Sequence, residues 1–348
     1  MTRVALIFGG HSPEHEVSIV SARNVYEQLR LADYTVEPVG IDRNGGWHVG
    51  PDAFDDLCKG LPANPPRRTL ADLEVDVVFP MIHGVGGEDG SIQGYCQMLE
   101  LPYVGGDALN NSLCWDKLAT RAVLLENHIP QPPYLPLYRN NFSAETTLSE
   151  VAERFDFPVF VKPARTGSSI GITRVTREQD LIPAIENAFR YDYRILLEPG
   201  LVAREIEIAG LGGPVPQLSI PAEIIPENDF YDFEEKYLKN STTFSIPAKL
   251  DKPTLAKVHR FARDAWLALN CYGMGRIDFL ITDDQVYLNE INTCPGFTGI
   301  SMYPRLFRES GVSGPELMRR LVTLALERDK MLPVTSTFIT GDDWYKES

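Results

Sequence analysis

Val4-Ala5-Leu6-Ile7-Phe8-Gly9-Gly10 is the first structured stretch of the chain, and it sets the fold class. A run of apolar residues without alternation fits a strand covered on both faces, as in a parallel sheet. Gly9-Gly10 lets the backbone turn tightly. After the turn, Ile19, Ala22, Tyr26 and Leu29 repeat at helical spacing. Further strands are expected at 35–41 and 75–82, each bounded by Gly, Pro or Asp. Strand and helix thus alternate over roughly the first 115 residues, which implies a right-handed parallel α/β unit. The Pro-rich basic segment 61–68 reads as a surface loop.

At 348 residues the chain exceeds one ordinary hydrophobic core, so two or three domains are expected. Hydrophobic residues at 43% and charged residues at 23% exclude a disordered or fibrous chain. Lysine and arginine number 33 against 48 aspartates and glutamates, a net charge of −15. Such a surface repels phosphate backbones and anionic lipid, so neither nucleic acid nor membrane is an expected partner. The opening apolar run is too short for a secretory signal, and nowhere do eighteen apolar residues run together. Five scattered cysteines without a C-x-x-C pair fit reduced thiols in a cytoplasmic protein better than disulfides or zinc.

A second α/β pattern follows the stiff connector Ile129-Pro130-Gln131-Pro132-Pro133, which ends a helix expected at 116–127. The pattern comprises a strand at 159–162, a Gly/Ser loop at 164–171, a helix at 177–190 and a strand at 194–197. From Glu205 onward strands dominate. They are interrupted at 226–242 by a charged, aromatic stretch without periodicity, long enough to suggest a functional loop. A helix at 252–269 precedes a hairpin at 274–281 and 286–291. Helices at 304–309 and 314–327 follow, then a polar tail at 329–348.

Four constellations carry chemistry. In the hairpin, a three-residue loop at 283–285 would pair Thr282 with Val286. Asp278 would then oppose Glu290, and Arg276 would oppose Asn292, all on one face. Two carboxylates and an amide oxygen are hard ligands suited to Mg²⁺ between protein and phosphates, and Arg276 would hold an anion. The plain alternative is a solvated hairpin face, and a one-residue slip would scatter the group. Lys162 ends an apolar strand before Arg165-Thr166-Gly167-Ser168-Ser169-Ile170-Gly171, a loop able to offer N–H groups and hydroxyls to phosphate. It is not a G-x-x-x-x-G-K-[ST] loop, since the lysine comes first. The run from His83-Gly84 to Gln93-Gly94 packs five glycines into eleven residues at a strand end, where backbone approaches a ligand or a loop simply moves. Glu14, in Gly10-His11-Ser12-Pro13-Glu14-His15-Glu16, either receives an ammonium or caps a helix.

Together these stretches, from about Val4 to Glu327, resemble the D-alanine–D-alanine ligase family of the ATP-grasp superfamily. The run from His83 to Gly94 is similar to one family signature. The segment from Arg276 to Asp278, with Asn289-Glu290-Ile291-Asn292-Thr293-Cys294-Pro295-Gly296-Phe297-Thr298, is similar to another. The resemblance implies a Rossmann-like N-terminal domain at 1–117 and a two-subdomain ATP-grasp fold at 118–200 and 201–328, with a lid at 226–242. It implies that ATP phosphorylates one D-alanine, and that the amine of a second attacks the acyl phosphate for peptidoglycan synthesis. By matching position, Lys117 and Lys162 would contact ATP phosphates, Glu198 and Leu201 the adenosine end and Glu205 the ribose, while Ser169 and Lys236 would also bind ATP. Asp278, Glu290 and Asn292 would hold two Mg²⁺ or Mn²⁺. Arg276 and the Gly296 N–H would stabilise the tetrahedral intermediate. Glu14, linked to Ser168 and Tyr237, would bind the first amino acid together with His83, and Ser301 and Met302 would bind the second. A homodimer is also implied.

Two positions depart from the common pattern: Phe233 in the lid, and Trp115 before Asp116-Lys117, neither expected to touch a ligand. The competing readings are a ligase for D-lactate or D-serine, an ATP-binding module without catalysis, and a dehydrogenase on the N-terminal sheet, which Gly9-Gly10 supports weakly because it begins no G-x-G-x-x-G fingerprint. The absence of a histidine near Glu235-Lys236-Tyr237 argues against D-lactate. Retention of Arg276 argues against a mere nucleotide binder, which needs no oxyanion donor.

Overall fold

The computed structural model of the chain describes residues 1–63, 68–225 and 243–331. The expected lid at 226–242, with Lys236, Tyr237 and Phe233, lies outside them, as does 332–348. The opening run forms β1 (Arg3–Gly9), and α1 (His15–Leu31) follows the glycine turn. Next come β2 (Thr35–Ile41), β3 (Trp47–Val49), α2 (Ala53–Cys58) and β4 (Val77–Met81). These strands make a sheet in the order β3-β2-β1-β4. β1 is parallel to both β2 and β4, as alternating strand and helix require. Short β3, which was not anticipated, adds an antiparallel edge. Val4 to Phe8 are all fully buried, so the unbroken apolar run is indeed covered on both faces.

Three helices lead away from this sheet: α3 (Ser91–Met98), α4 (Ala108–Trp115) and α5 (Lys117–Glu126). Asp116 separates the last two and accepts from the Leu118 and Ala119 N–H groups, capping α5. Beyond the proline connector lie β5 (Leu135–Tyr138), α6 (Ala144–Arg154), β6 (Val159–Pro163), β7 (Thr173–Val175), α7 (Leu181–Ala188) and β8 (Arg194–Pro199). They form an antiparallel sheet in the order β5-β8-β6-β7. The helix expected at 177–190 divides into a 3₁₀ turn at Glu178–Asp180 and α7. Pro183 sits in the first turn of α7, where its missing N–H costs no hydrogen bond.

The third sheet holds β9 (Arg204–Gly212), β10 (Pro216–Leu218), β11 (Ala222–Ile225), β12 (Thr243–Ser245), β13 (Gly273–Ile281) and β14 (Val286–Asn292). Its main path runs β12-β11-β9-β13-β14, all antiparallel. Helix α8 (Lys252–Ala268) covers one face with Val258, Phe261, Ala265 and Trp266. The chain continues through α9 (Met302–Glu309) and α10 (Gly314–Met331), so helix extends three residues into the expected tail. Leu317, Met318 and Leu321 of α10 return to the first sheet and share a core with Leu6, Phe8 and Val25. Tyr303 and Phe307 of α9 join that core, so it also touches the third sheet through Ala209 and Met274.

Candidate active site

The β13–β14 hairpin fixes the geometry of the site. Near its turn, Ile281 pairs with Val286, Leu280 with Tyr287 and Phe279 with Leu288. The loop therefore holds four residues, 282–285, and the expected pairing of Thr282 with Val286 does not form. Thr282 instead closes the turn, its N–H donating to the Gln285 carbonyl at 3.0 Å. Left alone, that register would move Glu290 to the wrong face. A β-bulge between Phe279 and Asp278 places Asn289 as an extra residue and resets the ladder. Asp278 then faces Glu290, and Arg276 faces Asn292. The expected pairs form, by a different route from the one the turn suggested.

On its other side β13 pairs with β9, where Asp278 stands opposite Glu207. Glu207, Asp278 and Glu290 thus form one row across three adjacent strands, and the sequence reading had missed Glu207. Arg276 lies beside the row. Its Nε and Nη2 donate to the two Asp278 carboxylate oxygens at 2.8 and 2.7 Å, and Nε lies 3.2 Å from Glu207 Oε1. Burial alone would disfavour the guanidinium charge, but Asp278 and Glu207 outweigh it and hold the Arg276 pKa well above its usual value. Beyond the row, the side-chain oxygen of Asn292 is buried with no hydrogen-bond partner among the described residues. An orphaned amide oxygen beside carboxylates fits a hard divalent cation. Among the described residues no cluster of three His, Cys, Asp or Glu side chains forms a closed metal site. The protein would supply part of a coordination shell and leave the rest to phosphate and water.

These side chains open onto a cavity of about 600 Å³. Arg276, Glu290, Asn292 and Gly296 line it from the hairpin and the loop that follows. Glu14, His83, Lys117 and Ser168 line it from the first half of the chain, and Ser301 with Met302 from the start of α9. Glu14 accepts a short hydrogen bond from Ser168, joining the helix start of the first sheet to the Gly/Ser loop. Ser168 and Ser169 have φ of 48° and 60°, a left-handed conformation that is uncommon for non-glycine residues. Lys117 donates to the Thr166 carbonyl at 2.6 Å, and burial lowers its pKa. A Cβ on Gly84 would lie 2.6 Å from Glu14 Oε2 and 2.5 Å from Ser12 Oγ, so only glycine lets this loop approach Glu14.

Asp278, Lys162, Ser169, Glu198, Leu201 and Glu205 are not among the lining residues. Asp278 is turned toward Arg276 as described. Lys162 lies 2.6 Å from Glu198, which also takes a short ion pair from Arg121. Burial alone would raise the Glu198 pKa, but Arg121 and Lys162 bring it below the usual glutamate value. Glu205 sits on β9 opposite Leu280, two residues along the strand from Glu207.

Besides Glu207, two more residues were passed over. Trp115, not expected to touch a ligand, lines the cavity, and a Cβ on Gly167 would lie 3.5 Å from its ring. Glu88 lies within the glycine-rich run and also lines the cavity, with 12% of its side chain exposed. Burial and the neighbouring Glu14 push its pKa up to about 8. The Gly84 N–H donates to it at 2.8 Å and pulls the other way, as does Arg276. Nothing in the local sequence shows its burial beside Glu14.

Comparison with known proteins bears on the whole chain. A model of the D-ala D-ala ligase N-terminus matches residues 3–106, and one of the D-ala D-ala ligase C-terminus matches 123–323. The chain belongs to the D-alanine–D-alanine ligase family. A D-alanine–D-alanine ligase of Clostridium acetobutylicum is 40% identical, with 94% of this chain and 98% of the relative covered. One from Caldicellulosiruptor bescii is 39% identical over 94% of this chain and 96% of the relative. Among solved structures, the D-alanine-D-alanine ligase from Coxiella burnetii aligns with a TM-score of 0.84 at 35% identity, covering 95% of each chain. The VanG D-Ala:D-Ser ligase from Enterococcus faecalis aligns at 0.81 with 32% identity, covering 93% of this chain and 99% of that one. The three sheets accordingly have the ATP-grasp ligase architecture of this family.

Proposed function

We propose that the chain joins two D-alanines at the expense of ATP, through a D-alanyl phosphate, with ADP and phosphate as products. The observation that carries this reading is one cavity lined by Glu14 with Ser168, by Lys117, and by Arg276, Glu290 and Asn292. An anionic site for an ammonium and a cationic site for phosphates and an oxyanion therefore face the same space. The family membership and the ligase relatives support it further.

In this reading Glu14, oriented by Ser168, receives the ammonium of the first D-alanine, beside His83. Lys117 and Lys162 take the ATP phosphates, Glu198 and Leu201 the adenosine end and Glu205 the ribose, and Ser169 and Lys236 also bind ATP. Asp278, Glu290 and Asn292 supply oxygen ligands for two Mg²⁺ or Mn²⁺, which when bound neutralise phosphate charge. Arg276 donates to the negative charge that develops on the acyl oxygen, and the Gly296 N–H does the same. Ser301 and Met302 meet the second amino acid, and Tyr237 acts with Ser168 and Glu14 in catalysis. A dimer and a cytoplasmic place in peptidoglycan synthesis follow from the same reading, with segments 1–117, 118–200 and 201–328 acting as its domains. No helix among the described residues is long and apolar enough to cross a membrane, and all five cysteines are free.

The test is phosphate release from ATP and Mg²⁺ with D-alanine, L-alanine, D-serine or D-lactate, with products identified by mass spectrometry. D-Ala–D-Ala is expected to dominate at pH 7 to 8. A mainly D-Ser or D-Lac product would replace the acceptor assignment and leave the ligase chemistry. No phosphate release with any of them would sink the reading.

A further inference from the structure

Between β14 and α9 the chain runs through Cys294-Pro295-Gly296-Phe297, and polar side chains from the N-terminal part hold both ends of this tetrapeptide. His83 Nδ1 lies 3.1 Å from the Cys294 carbonyl oxygen. A carbonyl only accepts, so Nδ1 carries the proton, and Nε2 of the neutral ring must accept. Its partner is the Ser21 hydroxyl, 2.9 Å away, which therefore donates to His83. The Ser21 oxygen in turn accepts from the Phe297 N–H at 3.2 Å. One helical turn along α1, Asn24 Nδ2 donates to the Phe297 carbonyl at 2.7 Å. Ser21 is fully buried and His83 is 4% exposed, so water does not compete for these bonds.

The pattern has a single consistent set of donors and acceptors. Burial pushes the His83 imidazole down to about 4, which agrees with a neutral ring at pH 7. Both ring nitrogens are taken by protein atoms, which leaves neither for a substrate. Gly296 lies between the held carbonyl of Cys294 and the held N–H of Phe297. A side chain on Gly296 would place its Cβ 2.7 Å from Ser301 Oγ, so the loop has no room to relax toward α9.

We propose that Ser21, acting through His83 and together with Asn24, is a positioning residue that sets the Gly296 N–H for the tetrahedral intermediate of the ligation. This rests on the ligase reading above and on the Gly296 N–H as an oxyanion donor. Preorganised donors matter in the transition state and hardly at all for ground-state binding. Loss of the clamp therefore lowers turnover and spares nucleotide affinity.

The experiment compares Ser21→Ala, Ser21→Thr and Asn24→Ala with the parent enzyme. Ser21→Ala removes a hydroxyl that satisfies two buried groups, so its fold is checked by thermal melting. Asn24 is only part-buried, and Asn24→Ala leaves the core intact and keeps the test decisive if Ser21→Ala unfolds. Expected for Asn24→Ala, and for Ser21→Ala where folded, is a fall in kcat of about 10- to 100-fold. KM for ATP and for D-alanine should stay within about twofold, since uniform binding is untouched. Affinity for a phosphinate dipeptide mimic of the tetrahedral intermediate, measured with ADP and Mg²⁺, should fall by the same factor as kcat/KM. Ser21→Thr, which keeps the hydroxyl, should recover most of the turnover. Unchanged kcat in Asn24→Ala, or unchanged phosphinate affinity beside a lowered kcat, would overturn the positioning role while the parent still ligates. A parent enzyme that forms no dipeptide overturns both.

Discussion

Arg276 and Asp278 project from the same face of β13, two residues apart, and are joined by two parallel hydrogen bonds of 2.8 and 2.7 Å. Side chains at i and i+2 on a strand share a face, and a guanidinium matches a carboxylate along its fork. The pair aligns Arg276 for the cavity and holds the Asp278 carboxylate against the guanidinium. Arg276→Lys keeps the charge and loses the fork. Turnover should fall by about 10²–10³, with ATP affinity changed far less. Unchanged turnover, measured by coupled ADP release, would remove Arg276 from the chemistry.

Asn292→Leu separates structural from ligating roles. Its side-chain oxygen is buried without a partner among the described residues, so an apolar residue of similar size removes a desolvated acceptor. Without nucleotide, stability should hold within about 1 kcal/mol or rise. The extra thermal stabilisation from Mg²⁺ with ADP should shrink sharply. Full retention of that shift would show that Asn292 ligates nothing.

Glu198 gives the opposite case. It is 2% exposed and faces Arg121 and Lys162, so Glu198→Ala leaves buried positive charge unmatched. A loss of about 3–5 kcal/mol in urea unfolding is expected. Because its pKa is lowered in the folded state, its contribution is present above the unfolded value and lost as pH falls through the folded one. A loss below about 1 kcal/mol in the variant would mean that water reaches this pair.

Glu88 should impose the reverse slope. Its pKa is raised from 4.5 to about 8, so the folded form holds a proton that the unfolded chain releases. The stability it contributes is complete below about pH 4.5 and is lost as pH rises through about 8. Glu88→Gln keeps shape and removes the titration. In ligand-free, metal-free protein the variant should lose less stability than wild type between pH 6 and 9. Parallel pH profiles would show that Glu88 is ionised throughout.

The sequence displayed the parts of this molecule that depend on near neighbours. The apolar run from Val4 to Phe8 and the helical repeat after it defined the first sheet, because burial on two faces leaves a local mark. The hairpin faces were also legible, but the turn was not. A four-residue loop and a bulge at Asn289 cancel each other, and neither has a distinctive residue to announce it. Glu207 escaped because its place in the carboxylate row depends on the pairing of β9 with β13, about seventy residues apart in the chain. His83 lines the cavity, and its bonds to Cys294 and Ser21, partners 211 and 62 residues away, were invisible in the sequence because they depend on the folded arrangement.

Helix α10 has a consequence for how the chain comes into being. Leu317, Met318 and Leu321 complete a core whose other walls are Leu6, Phe8 and Val25, and Arg328 donates to the carbonyls of Tyr103 and Gly105 at 2.7 and 2.5 Å. On the ribosome the first sheet emerges long before the helix that covers it. Through most of translation its apolar face has no native cover, and it can finish folding only near the end of synthesis. A stalled or truncated product ending before Gly314 would carry that open face, ready for a chaperone or for another copy of itself.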